Sequence, residues 1–175
     1  MKTKLFAIAV LAGAVSAANA AVLWDNNVIT NGVNGRAVSG PAFPNIRVVD
    51  DINVGAPGWM ISNIKFNILE DVNWIAGSTA EVYVYAYTGN NTPPGGLVAT
   101  WSNLSFERTF TGTSYFGRPD YIHNVRVDGQ RLDPGTYWIG VRHPNASGDG
   151  TGYWMTSDGG PDGAGSGTGF LSLDG

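Results

Sequence analysis

The chain has no cysteine and is only 14% charged, with 2 histidines in 175 residues. Without cysteine there is no disulfide scaffold, no CxxC zinc site, no iron–sulfur cluster and no thiol nucleophile. Ten Lys and Arg stand against 14 Asp and Glu. Phosphate neutralisation needs clustered Lys and Arg, so nucleic acid is not an expected partner. H-E-x-x-H and Walker A patterns are missing. Gly163-Ala164-Gly165-Ser166-Gly167 fails the G-x-S-x-G pattern at Ala164 and lacks the strand–turn–helix setting of a nucleophile elbow. After residue 20 no window keeps the i, i+3, i+4 spacing of a helix, and no run is long and apolar enough for a membrane helix.

What is present begins with an address. Lys2 and Lys4 precede an apolar run from Leu5 to Val15, and Ala18-Asn19-Ala20 fits the A-x-A cleavage pattern. The expectation is a secretory signal over residues 1–20 and an exported chain without membrane insertion after cleavage. The remaining 155 residues carry a net charge of −6, and Lys65 is their only lysine. A single domain of that size buries roughly 70% of its unfolded surface, so a core alone can hold it.

The rest of the chain reads as strands and turns. Glycine and proline punctuate it every few residues, with β-branched and aromatic runs between. Ile64–Ile68 alternates apolar and polar. Residues 80–87 are apolar on both faces, as in a central strand: Val82, Val84 and Ala86 face one way, Tyr83, Tyr85 and Tyr87 the other. Tyr121, His123, Val125 and Val127 share a face, and Thr136–Arg142 is another strand. Weaker segments are Val22–Asp25, Asn45–Val49, Leu97–Trp101, Ser105–Phe110, Tyr153–Ser157 and Gly169–Leu173. About ten short strands at spacings of roughly 8–15 residues predict an all-β, single jelly-roll-like or Greek-key sandwich. Its parts are the signal (1–20), a strand segment with a Gly/Asn-rich connector (21–35) and the sandwich (36–175). Leu132-Asp133-Pro134-Gly135-Thr136-Tyr137 reads as a tyrosine corner, with Leu132, Pro134, Gly135 and Tyr137 as its structural residues.

Val48-Val49-Asp50-Asp51-Ile52, followed by Trp59-Met60-Ile61-Ser62-Asn63-Ile64-Lys65-Phe66, resembles secreted bacterial sandwich modules with a V-A-D-D-F-like signature. Val82–Tyr85, Pro94-Gly95, Pro134–Trp138, Tyr153-Trp154 and Phe170–Gly175 are similar to the family's later strands. Val49 and Ile52 depart from the signature. The sorting tail frequent in its PEP-CTERM-type members does not follow. The resemblance implies an extracellular jelly-roll-like sandwich and supplies no catalytic residues.

Four kinds of site are open. Glu70/Asp71 or Glu81/Glu107 could be named as the paired carboxylates of a polysaccharide-active enzyme, but sequence spacing does not select among acids. Asp50, Asp51, Asp158 and Asp162 are candidate Ca²⁺ ligands, weighed against turn-capping aspartates; no other cofactor is expected. Trp24, Trp74, Trp101 and Tyr115 are candidate sugar-stacking platforms, weighed against core packing. His123 reads as a packed core histidine and His143 as a strand end. The sequons place candidate glycans at Asn90, Asn103 and Asn145. Finally, Val22, Leu23, Trp24, Val28 and Ile29 form an apolar, strand-prone front set off by Asn31-Gly32-Val33-Asn34-Gly35. That front is either the domain's own first strand or a strand added to a neighbour's sheet. The favoured expectation is a secreted, non-catalytic structural protein whose partners are copies of itself, a filament or matrix subunit. A carbohydrate-binding module with an extracellular polysaccharide partner is the alternative, and an enzyme comes third.

Overall fold

A computed structural model describes residues 36–39, 46–89, 93–155 and 170–172. Ten strands run in chain order: β1 (Arg36–Ser39), β2 (Arg47–Val54), β3 (Trp59–Glu70), β4 (Ala80–Ala86), β5 (Leu97–Leu104), β6 (Phe106–Tyr115), β7 (Arg118–Leu132), β8 (Gly135–Arg142), β9 (Gly152–Trp154) and β10 (Phe170–Ser172). No helix occurs among the described residues.

The strands form two five-stranded antiparallel sheets, ordered β1-β9-β3-β7-β6 and β10-β2-β8-β4-β5. Successive strands β1 to β4 alternate between the sheets, and β7, β8 and β9 return between them. The eight strands β1-β9-β3-β7 and β2-β8-β4-β5 make the two interleaved Greek keys of a jelly roll. β6 and β10 extend one sheet each. The expected all-β jelly-roll sandwich is the observed fold.

Alternation accounts for the core. Phe66 and Ile68 of β3, Val82 and Val84 of β4, Val125 and Val127 of β7, and Ile139 and Val141 of β8 turn into the space between the sheets with Ile52 and Val54 of β2. β4 lies between β8 and β5, as a strand apolar on both faces should. On its outer face Arg47 lies 3.9 Å over the Tyr83 ring and donates to the Tyr85 hydroxyl at 2.7 Å. The Tyr83 hydroxyl donates to Glu81, which Arg142 also meets at 3.3 Å. Burial, and then the bond to Glu81, push the Tyr83 phenol above its ordinary range.

Three strands are much longer than alternation predicts. β3 has 12 residues, β7 has 15 and β6 has 10. Bulges between Ile61 and Asn63, and between Phe110 and Ser114, let the ladders continue past breaks in the pattern. The β6–β7 hairpin turns at Phe116 (φ 55°) and Gly117 (φ 75°), where two left-handed residues match the strand twist. β1 is a strand that the sequence reading did not expect. Val22–Asp25 and the start of the Gly169–Leu173 segment lie outside the described residues. The corner forms as expected: the Tyr137 hydroxyl donates to the Asp133 carbonyl at 3.1 Å.

Candidate functional site

Two features stand out in the sheet β1-β9-β3-β7-β6. One is a charged network buried between the sheets, with the partly exposed Arg108 at its rim. The other is the open edge beside it.

The network follows from register. Arg108 of β6 pairs with His123 of β7, and the alternation that puts Phe66 and Ile68 inside also puts Glu70 inside. Glu70, His123 and His143 are only 3%, 0% and 2% exposed. Buried charge is tolerated when paired and hydrogen-bonded, and each of these groups is. Glu70 Oε1 lies 2.9 Å from His123 Nε2, and His123 Nδ1 lies 3.0 Å from His143 Nε2. His143 Nδ1 faces the Thr79 carbonyl at 3.4 Å. Arg108 Nε donates to Glu70 Oε1 at 2.7 Å, and a second guanidinium nitrogen donates to Oε2. The guanidinium lies 3.4 Å over the Tyr121 ring. Phe66, Phe106 and Trp74 wall in the imidazoles, with Phe106 4.5 Å from the His143 ring.

The electrostatics follow from these contacts. Burial raises the Glu70 carboxyl, but hydrogen bonds and charge from Arg108 and His123 outweigh it, so Glu70 titrates below its usual range. The hydrogen bond to Glu70 raises the Arg108 guanidinium against its own burial. Burial, with the neighbouring His123, pushes His143 down to about 3 against the opposing Thr79 carbonyl, so it is neutral near pH 7. Beside this network, Arg118 pairs with Asp71 and stacks 4.6 Å over Tyr153. Asp71 Oδ2 also accepts from the Thr151 amide at 3.0 Å.

The open edge is different. Among the described residues β6 ends its sheet, and β5 ends the other sheet on the same side. The Arg126 amide donates to the Ser105 carbonyl at 2.9 Å, and Phe106 faces Val125. In an antiparallel ladder, hydrogen-bonded pairs alternate with open ones. Glu107 and Thr109 therefore turn their peptide groups to β7, while Phe106, Arg108 and Phe110 turn theirs to the open side. Leu97 and Val98 of β5, Phe110 of β6 and Phe116 in the turn after it are each at least half exposed.

The sequence candidates fall out as follows. Trp74 is 5% exposed and belongs to the core, so it is not a stacking platform. Gly152 makes room for it, since a Cβ there would lie 2.7 Å from the indole. Trp101 is half-buried and packs against the same core. Tyr115 is half-buried at the end of β6. Trp24 lies outside the described residues, as do Asp158, Asp162, Asn90 and the front residues Val22, Leu23, Val28 and Ile29. Asp50 and Asp51 are neighbours on β2, so their side chains leave opposite faces of the sheet. No group of three or more metal-ligating side chains forms among the described residues. Asn103 is exposed at the end of β5 with φ 56°, and Asn145 is exposed with its amide 3.3 Å from Thr79 Oγ1. The carboxylate pairs do not converge on an open site. Glu70 and Asp71 each hold an arginine, Glu107 is exposed against Arg126, and Glu81 lies in the other sheet.

His123 is a packed core histidine, as expected, but its place in a charged chain was missed. The signal was available: Glu70 and His123 fall on core-facing positions of largely apolar strands, where a polar group requires a partner. No protein-family model, curated protein or solved structure matches this chain.

Proposed function

We propose that this chain is a non-catalytic, secreted structural protein that assembles with copies of itself by strand addition. The carrying observation is a pair of edges on one side of the sandwich that no described strand covers, with Leu97, Val98, Phe110 and Phe116 about half exposed around them. Proteins normally blunt such edges, and a long edge with apolar flanks is a template for another strand. The signal-like residues 1–20 and the resemblance to exported sandwich modules support an extracellular address.

Two observations weigh against the other readings. Every ring nitrogen of His123 and His143 is engaged inside the network, which leaves none to exchange a proton with a substrate. Of the proposed sugar platforms, Trp74 is in the core and Trp101 leans on it. The test is negative-stain electron microscopy of residues 21–175 at neutral pH. Regular filaments or mats are expected. Dispersed single particles at all concentrations would overturn the proposal.

A further inference from the structure

We infer that His123 and His143 form a pH-sensitive latch on a loop pair at one end of the sandwich, closed by a proton on His123 and released when that proton leaves. The latch lies in the buried network and is independent of assembly. The loop pair is residues 71–79, which join β3 to β4, and residues 143–151, which join β8 to β9. Ile75 and Ser147 exchange two backbone hydrogen bonds of 2.9 Å. Asp71 and Thr151 are joined twice, amide to carbonyl at 3.1 Å and amide to carboxylate at 3.0 Å. Asn145 Nδ2 donates to Thr79 Oγ1 at 3.3 Å. Gly77 (φ 78°) lets the loops touch, since a Cβ there would lie 2.6 Å from the Asn145 carbonyl oxygen. At the inner end of this pair, His143 Nδ1 meets the Thr79 carbonyl.

Hydrogen-bond roles place the protons. A carbonyl oxygen only accepts, so the Thr79 contact at 3.4 Å requires the proton of His143 on Nδ1. His143 is neutral, so its Nε2 accepts and His123 Nδ1 must donate across 3.0 Å. Glu70 holds Arg108 through both oxygens as a carboxylate, so it accepts and His123 Nε2 must donate as well. The closed chain therefore needs both ring nitrogens of His123 protonated. When pH rises and His123 gives one proton to water, Nε2–H stays on the carboxylate, where the bond is charge-assisted, and Nδ1 becomes an acceptor. His143 can then bond to it only as the other tautomer, with its proton moved from Nδ1 to Nε2. His143 Nδ1 is left facing the Thr79 carbonyl with no hydrogen between them, and that link between the loops is lost. The stabilisation is thus present in the protonated state and lost with rising pH. The charged or titratable groups that face the two rings are Glu70 from β3 and Arg108 from β6, which lies over Tyr121 of β7. Phe66, Phe106 and Trp74 wall in the rings, and β4 turns Ala80, Val82 and Val84 into the core.

The test is proton and nitrogen-15 NMR of residues 21–175 from pH 5 to pH 9. The chain has only 2 histidines, so every imidazole signal belongs to the latch. His143 itself titrates at about 3 and stays neutral over that range. His123 should carry two protons at the acid end and one at the alkaline end. The His143 proton should move from Nδ1 to Nε2 over the same step. The Ile75 and Ser147 amides should there lose several-fold to about tenfold of their protection from hydrogen exchange, while the Val84 amide of the central strand β4 keeps its own. His143→Gln has no second tautomer and should remove the step at both loop amides. A His123 that keeps one charge state across the range would overturn the latch. So would a titration of His123 that leaves the His143 tautomer and the loop protection unchanged, or a step that survives in His143→Gln. The wild-type spectra decide even if His143→Gln does not fold.

Discussion

β6 and β7 are hydrogen-bonded neighbours, yet they meet opposite demands. β7 is paired on both sides, and its inward polar group, His123, is completely buried and bonded at both nitrogens. Among the described residues β6 is paired on one side only, and Phe110 and Phe116 beside it are about half exposed. Arg108 belongs to both settings, since its guanidinium seals Glu70 while its peptide faces the open side. In this sheet the buried Glu70 and His123 are matched, although Asn124 Oδ1 of β7 is buried without a partner, and apolar groups are left half exposed where a partner strand could cover them. Stability and assembly are thereby assigned to different strands, which can be separated by mutation.

The largest expected effect is on the sealed side. Glu70→Ala leaves Arg108 and His123 without their carboxylate and should cost ~3–5 kcal/mol, measured by urea unfolding. Trp74→Ala opens a cavity beneath Gly152 and should cost a similar ~3–5 kcal/mol. Stability should also depend on pH. Folding depresses the pKa of His143 to about 3, so its contribution is complete above the unfolded value of ~6.5 and is lost as pH falls toward 3. Glu70, also depressed, acts with the same sign in the acid range below its unfolded value. The urea midpoint should therefore drop between pH 7 and pH 4, and His143→Gln should flatten that slope. Smaller again, Tyr137→Phe removes one corner hydrogen bond and should cost ~0.5–1.5 kcal/mol. At the open edge Phe110→Ser should change stability by less than ~0.5 kcal/mol while reducing assembly. An equal loss of stability at Phe110 and Glu70 would erase the contrast between the strands.

The two sides also differ in how much the sequence reveals. Alternation at Ile64–Ile68 and Tyr121–Val127, and the double-faced Ala80–Ala86, announce a sandwich because strand sides are read two residues at a time. The corner at Leu132–Tyr137 is legible because proline, glycine and tyrosine act locally. Strand length is not, because bulges such as that after Phe110 continue a ladder where the pattern breaks. Arg36–Ser39 is too short to carry a pattern. The network is only half legible: Glu70 and His123 on core-facing positions demand partners, but that Arg108 and His143 are those partners is set by topology. Trp74 misleads because Asp71-Val72-Asn73 before it reads as an exposed loop, and Val72 is indeed 92% exposed. Gly152, far along the chain, lets the indole turn inward.

The most direct measurement is sedimentation velocity of residues 21–175 beside residues 31–175, over a range of concentrations at neutral pH. The longer chain should form large, concentration-dependent species, and the shorter should remain a folded monomer. Two monomers, or two assemblies of the same size, would contradict assembly through the front strand.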